Sequence, residues 1–494
     1  MHGELNVLVE RGTSVNNTNI YGNTPLMVDT SKGKLETFPY LKEISPDINI
    51  REEENNTALH IAAQWGDVYI INILLGKGMS VNLTNTHDST PLHVSAACGH
   101  LEATKVLVER GATINNTNKY GNAPHMLAAY KGKLDTFRYL TEIGADINIR
   151  DAKNDTALHC AAAAGSVDII KLLLDKGISV NLTNTDEFTP LHVSALFGQL
   201  EATKALVERG ATIHITNRDG NTPHMVAAYS GKLEIFRYLT ERGADINNRD
   251  DDSSTALHYA AKSGSVDIIK LLLDKGMSVN LTDTYNNTPL HVSAAFGHLE
   301  TTKALVERGA AINNTNKYGN TPLMRAAYRG KLEIFRFLTE RGADINIRDD
   351  DSSTALHHAA ESGTVDIIKL LLDKGMSVNL TNTYNNTPLH VSAAFGHLET
   401  TKVLVERGAA VNNTNKYGNT PLMMAAYRGK LEIIRYLTEI GVDINNRDDH
   451  SSTALHHAAE SGSVEAIKLL LDKGMSVNLT NTYDSTPLHR SADF

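Results

Sequence analysis

A tetrapeptide opening with Thr, once with Ala, returns every 33 residues along this chain, at 24, 57, 90, 123 and in equal steps to 486. These fifteen occurrences carry no insertion or deletion, and ten of the twelve prolines stand at their second position. A chain of 494 residues would otherwise suggest roughly three globular domains. So strict a beat instead specifies an array of like units, each burying its apolar face only against its neighbours. The reading is one continuous array over 1–494. It has a partial repeat at 1–23, fourteen repeats of 33 residues over 24–485, and a truncated repeat at 486–494.

A second period of 99 residues lies above the first, because three repeat types rotate in order. The first reads NTNKYGNTPLMRAAYRGKLEIFRFLTERG (Asn314–Gly342), the second NIRDDDSSTALHHAAESGTVDIIKLLLDKG (Asn346–Gly375), and the third NLTNTYNNTPLHVSAAFGHLETTKVLVERG (Asn379–Gly408). The 18 residues from Asn286 to Lys303 recur unchanged at Asn385 to Lys402, which points to duplication of a three-repeat block.

Within a repeat, Thr288 suits a helix N-cap and Pro289 the first helical position, where its missing N–H is not needed. Leu290, Ala294 and Ala295 give a short helix that a neighbour can approach closely, and Gly297 can end it in a left-handed conformation. A second helix starts near Leu299 and carries apolar residues at helical spacing to Val306. Helices this short are marginal alone, below the ~12–15 residues needed in water, so stacking must supply their stability. The stretch TPLHVSAAFGHLETTKVLVERGAAVN (Thr387–Asn412) resembles the ankyrin repeat, and the resemblance recurs in phase along essentially the whole chain. It implies an all-α solenoid of paired antiparallel helices, hairpin-like finger loops between repeats, and a concave groove that binds other proteins.

The chemistry is consistent with binding rather than catalysis. Of 21 histidines, ten close the tetrapeptide, including His60, His159, His291 and His390, where a turn-stabilising hydrogen bond is expected. The neighbours His357-His358 and His456-His457 point apart on a helix, and no acid is expected to complete a metal site with them. There is no HExxH, CxxC, glycine-rich phosphate loop or GxSxG elbow, so neither enzyme activity, a cofactor nor a small-molecule substrate is expected. Cys98 and Cys160 read as packing substitutions and cannot form a disulfide framework; two thiols suit a reducing compartment, most simply the cytoplasm, with the nucleus open. Asn-x-Thr triplets such as Asn280-Leu-Thr282 match glycosylation acceptors but arise from the repeat itself beside the turns, where glycans would crowd the fingers, so modification is not expected. A net charge of -10 argues against nucleic acid, no apolar run would insert in a membrane, and Met1–Gly12 is not a signal peptide.

Positions that vary between repeats carry the functional signal. The finger tips show Lys119-Tyr120, Lys317-Tyr318 and Lys416-Tyr417 in the first type, with Arg218-Asp219 as the odd copy. They show Asp250-Asp251-Asp252 and Asp349-Asp350-Asp351 in the second type, with Glu52-Glu53-Glu54 earlier. The third type carries Tyr285, Tyr384 and Tyr483. In order these form a ridge alternating basic-aromatic, acidic and aromatic; exposed Tyr is a common interface anchor, and alternating charge selects partner and register. On the groove side, Arg325, His358 and Met424 share one column, with Phe296, Phe395 and Trp65 one turn further on. The candidate partner-binding residues are Lys317, Tyr318, Arg325, Asp350, Asp351, His358, Tyr384, Lys416 and Tyr417. The expected function is a protein-interaction scaffold or adaptor; an elastic spacer, or the targeting half of a larger effector, toxin or enzyme, are the alternatives.

Both ends depart from the pattern. Asp29 and Thr30 replace the pair seen at Ala128 and Ala129, and Pro39 and Pro46 fall in the same repeat. An interior helical proline costs about 3 kcal/mol or more, so the helix over 34–43 is expected to be kinked or frayed. Arg490 and Asp493 replace the residues at Val391 and Ala394. The chain begins and ends partway through a repeat, which reads as crude capping or as a piece of a longer product.

Overall fold

In a computed structural model, which describes residues 16–32 and 47–492, each tetrapeptide opens a helix. First helices are mostly seven or eight residues long, as in Pro289–Phe296, Pro322–Tyr328 and Ala355–Ser362; second helices have nine, as in Leu299–Glu307. The Gly between them does what the sequence demands: Gly297 is left-handed, at φ 91°, and its N–H caps Ser293 O. The architecture is all-α, a solenoid of helix–turn–helix repeats. The chain divides into two compact halves, Met1–Asp251 and Asp252–Phe494. Within each half, first helices pack on the first helices of neighbouring repeats, and second helices on second helices less extensively. Leu290, Ala294, Ile268, Ile269 and Leu272 are wholly buried. From Ala58–Trp65 onward, the small Ala at the centre of each first helix allows that approach.

The finger loops are turns, and no strand occurs among the described residues. Each tip turns on a left-handed residue, for example Asn286 (φ 57°), Ser352 (φ 57°) or Gly319 (φ 75°). At 319 only glycine fits, because a Cβ there would lie 2.6 Å from Asp350 N and 2.8 Å from Asp349 Cα of the next finger. In the first repeat Pro25–Lys32 is helical despite Asp29 and Thr30: Thr30 is fully buried and its hydroxyl donates to Leu26 O at 2.7 Å. Pro39, Pro46, the expected kink over 34–43 and Asp493 lie outside the described residues.

The tetrapeptide histidine does more than stabilise its own turn. In His291, Nδ1 accepts the Thr288 N–H at 3.1 Å, which leaves the proton on Nε2, and Nε2 donates to Asn320 O at 2.9 Å, just before the next tetrapeptide. The same bridge joins His357 to Asn386 O (3.1 Å) and His390 to Asn419 O (3.1 Å). In the first repeat type Met takes this place: Thr321 N–H points at Met324 Sδ at 3.4 Å, with no reach to the next repeat. The Asn-x-Thr asparagines are also scaffold, since Asn280 Oδ1 accepts Ala311 N–H and Asn379 Oδ1 accepts Ala410 N–H, both at 2.9 Å.

Burial holds these imidazoles neutral and lowers His60, His93, His192, His291, His357 and His390 from 6.5 to about 4. The unfolded chain therefore takes up protons that the folded chain refuses as pH falls from about 6.5 toward 4. Stability is full above that window and is lost through it, by up to about 1.4 kcal/mol per pH unit for each histidine. The urea midpoint should be flat from pH 8 to 7 and fall steeply from 6.5 to 4.5; equal midpoints at pH 7 and 5 would contradict the assignment. His125 is a different case: it is fully buried against Phe137, neither ring nitrogen has a partner, and Leu323 and Leu422 hold its place elsewhere. Replacing His125 with Leu should stabilise the chain by about 1–3 kcal/mol in urea unfolding; a loss would show that the imidazole is satisfied in solution.

Candidate interaction surface

In the C-terminal half the fingers form a ladder of single backbone hydrogen bonds. Lys317 N–H donates to Tyr285 O (2.8 Å), Asp350 to Tyr318 O (3.1 Å), Thr383 to Asp351 O (2.8 Å) and Lys416 to Tyr384 O (2.8 Å). Each tip is closed by its own side chain, as where Asn316 Oδ1 accepts the N–H groups of Tyr318 and Asn320 at 3.0 Å. Because backbone and Asn hold the ridge, the remaining tip side chains point outward. Lys317, Tyr318, Asp350, Asp351, Tyr384, Lys416 and Tyr417 are all exposed, the tyrosines by 40–53%. The rings of Tyr285 and Tyr318 stack across neighbouring fingers, 6.4 Å apart and 18° from parallel.

Arg325 and His358 do not join this ridge. They lie half-buried on the first helices that line the groove. His358 is committed there: its Nε2 lies 2.9 Å from Asp349 Oδ2, and its ring meets the edge of Tyr328 at 6.2 Å. His457 repeats the arrangement with Asp448 at 3.0 Å and Tyr427 at 6.1 Å. One acid does face a histidine of each pair, at Asp349 and Asp448. His357 and His358 do point apart, but the acid comes from the finger nine residues earlier. It makes a two-group hydrogen-bonded contact, and no cluster of three possible metal ligands occurs among the described residues. The Asp–His spacing of nine, present at both 349/358 and 448/457, is the signal that could have revealed it.

The tip and groove residues meet around a concavity of about 470 Å³ near the C-terminal end, between Tyr417, Tyr427, Met424, Asp448 and Tyr483. Its charges are matched internally: Glu460 pairs with Arg490 at 2.5 Å, and Arg428 lies over the Tyr427 ring at 5.8 Å. Burial alone would raise the Asp448 carboxyl. The hydrogen bond from His457 and the N–H groups of Ser452 and His450 outweigh it and hold the group below its usual value. Exposed aromatics recur along the same face, with Phe296 and Phe395 half-exposed.

A family model for ankyrin repeats in three copies matches residues 2–85, 70–151, 126–217, 210–283, 277–349, 346–415 and 422–494, and a many-copy ankyrin-repeat model matches 393–438. The chain belongs to the ankyrin-repeat family. A crystal structure of the human ASB11 ankyrin repeat domain is similar to it, with 30% identity over 45% of this chain and 99% of that one, at a TM-score of 0.41. No curated protein matches the chain. Ankyrin repeats generally serve as protein–protein interaction modules. Among the described residues no helix is long and apolar enough to cross a membrane.

The paired Asp and His make a local prediction. Replacing His457 with Leu leaves the Asp448 carboxyl buried without its imidazole, so its pKa should move from below to above the usual carboxylate value in a 13C-carboxyl NMR titration. A value that stays low would show that the backbone N–H groups suffice.

Proposed function

We propose that this ankyrin-repeat chain is a non-enzymatic scaffold that binds partner proteins through its finger ridge and the adjoining groove. The observation that carries this reading is the division of labour in the fingers. Backbone and Asn side chains hold the ridge together, while Lys317, Tyr318, Asp350, Asp351, Tyr384, Lys416 and Tyr417 are left facing solvent. Tyrosines ordered in this way lose little freedom on binding, and the alternation of Lys, Tyr and Asp sets register along a partner. Arg325 and His358 supply the groove side of the same contact. The two free thiols, Cys98 and Cys160, suit an intracellular setting.

The triple substitution Tyr318→Ala, Asp350→Ala and Tyr384→Ala tests this. None of these side chains is needed for the ladder, so far-UV circular dichroism and urea midpoint should stay near those of the parent. Proteins captured specifically by the parent from a lysate should be lost, because truncating one anchor tyrosine typically costs about 2 kcal/mol, roughly thirty-fold in affinity. An unchanged capture profile would remove the ridge from the binding surface, and a parent chain that captures nothing specific would favour a spacer.

A further inference from the structure

The N-terminal half contains a concavity of about 570 Å³ in the same register as the C-terminal one, with Tyr120, Tyr130 and Asp151 standing 297 residues before Tyr417, Tyr427 and Asp448. The walls agree; the charges do not. His457 is replaced by Cys160, and the Glu460–Arg490 pair by Ala163 and Val193. Asp151 keeps the turn that Asp448 makes, its Oδ1 accepting the N–H groups of Lys153 and Asp155 at 2.8 Å each. Where an imidazole donates to Asp448 Oδ2 and Asp349 Oδ2, however, Asp151 faces a buried thiol. Burial therefore raises the Asp151 carboxyl, with the N–H groups of Asp155 and Lys153 opposing it, whereas Asp448 is lowered. Burial also raises the Cys160 thiol and lowers His159, so neither brings a charge into the groove.

Asp155 and Asp186 line the same groove, against Lys153 among its walls and with Arg218 3.7 Å from Asp186 at the rim. Beside them Lys131 lies over the Tyr130 ring at 5.4 Å, as Arg428 does over Tyr427, and Phe197 stands half-exposed. A groove lined by three carboxylates against Lys153, one of them lacking its imidazole, and by an exposed aromatic face is complementary to a cation with a flat apolar surface. A guanidinium meets all three requirements, since it stacks on rings and donates in parallel to a carboxylate, and Val193 suits apolar neighbours on either side of it.

We infer that the groove between Tyr120 and Phe197 binds an arginine side chain of a partner protein, with Asp151 as its carboxylate acceptor in the place that a histidine fills in sister repeats. This rests on the groove-binding reading above and adds the chemistry of the ligand. The C-terminal groove, where Arg428 and Arg490 balance Asp448 and Glu460 and His457 already donates to Asp448, does not share the preference.

The test uses the full chain, with fluorescence anisotropy of a labelled five-residue peptide carrying arginine between leucines and alanines, and its citrulline counterpart. The arginine peptide should saturate below 1 mM and the citrulline peptide should bind at least ten-fold more weakly. Cys160→His restores the residue of the sister repeats, so it folds as they do; it and Asp151→Asn should each weaken the arginine peptide at least ten-fold. Equal binding of the two peptides, or binding indifferent to both groove substitutions, would overturn the inference while leaving groove recognition standing. No saturation by 1 mM would also overturn it, as would self-association in sedimentation that Cys160→His abolishes, which would give the groove to a second copy.

Discussion

The imidazole that closes the tetrapeptide is the contact on which the array depends. One ring nitrogen serves the start of its own helix, and the other reaches the carbonyl 29 residues on, so a single side chain fixes both fold within the repeat and spacing between repeats. Neither nitrogen is free to take a second proton without losing a bond. Histidine is hard to replace here because few side chains offer an acceptor and a donor on opposite edges of a rigid ring. Where Met324 and Met423 stand instead, the sulfur meets the Thr N–H but contributes nothing to the next repeat. Those junctions rely on the finger ladder and on apolar packing. The 99-residue period is therefore energetic as well as compositional, with nearest-neighbour coupling that differs from one repeat type to the next.

That commitment of the histidines explains where variation is tolerated. Residues that carry bonds between repeats, such as Asn280, Asn316 and His390, have geometric duties. Tip side chains have none, because the ladder is made by backbone, so Lys-Tyr, Asp-Asp and Tyr alternate there at no structural cost. The groove column is intermediate. Its side chains are half-buried, so each must find a local partner or leave a polar neighbour unpaired.

Much of the fold was legible because it is written in spacing. The proline at 289, the glycine at 297 and the apolar spacing from Leu299 place both helices to within a residue or so, and the ankyrin resemblance follows from the same letters. The exposed tips were legible too, since the positions of Tyr318 and Asp350 change with repeat type, whereas that of Ala294 is Ala in every repeat from Ala63 to Ala492. The groove was not. His358 and Arg325 share the groove column in a linear reading, but Asp349 folds back from the finger to meet the imidazole, and pairing across a turn leaves no helical or strand periodicity to detect. The carboxyl that matters there is Asp349, the most buried of its acidic triplet, rather than Asp350 or Asp351 at the tip.

Near-identical repeats make such pairings readable after the fact, because each copy is a control for the others. Asp with His nine residues on occurs at 349/358 and 448/457, and both make the bond. Asp with Cys occurs at 151/160, in a backbone of the same geometry, with Asp151 still receiving its two turn N–H groups. The difference between these grooves thus lies in side chains on a shared frame: a lost donor at Cys160, a lost ion pair at Ala163 and Val193, and acids at Asp155 and Asp186 where Ser452 and Tyr483 stand. When the frame is constant and the charge balance changes, a difference in what the grooves attract follows from electrostatics alone. A solenoid built this way can diversify its recognition one groove at a time, leaving the imidazole bridges that set its spacing untouched.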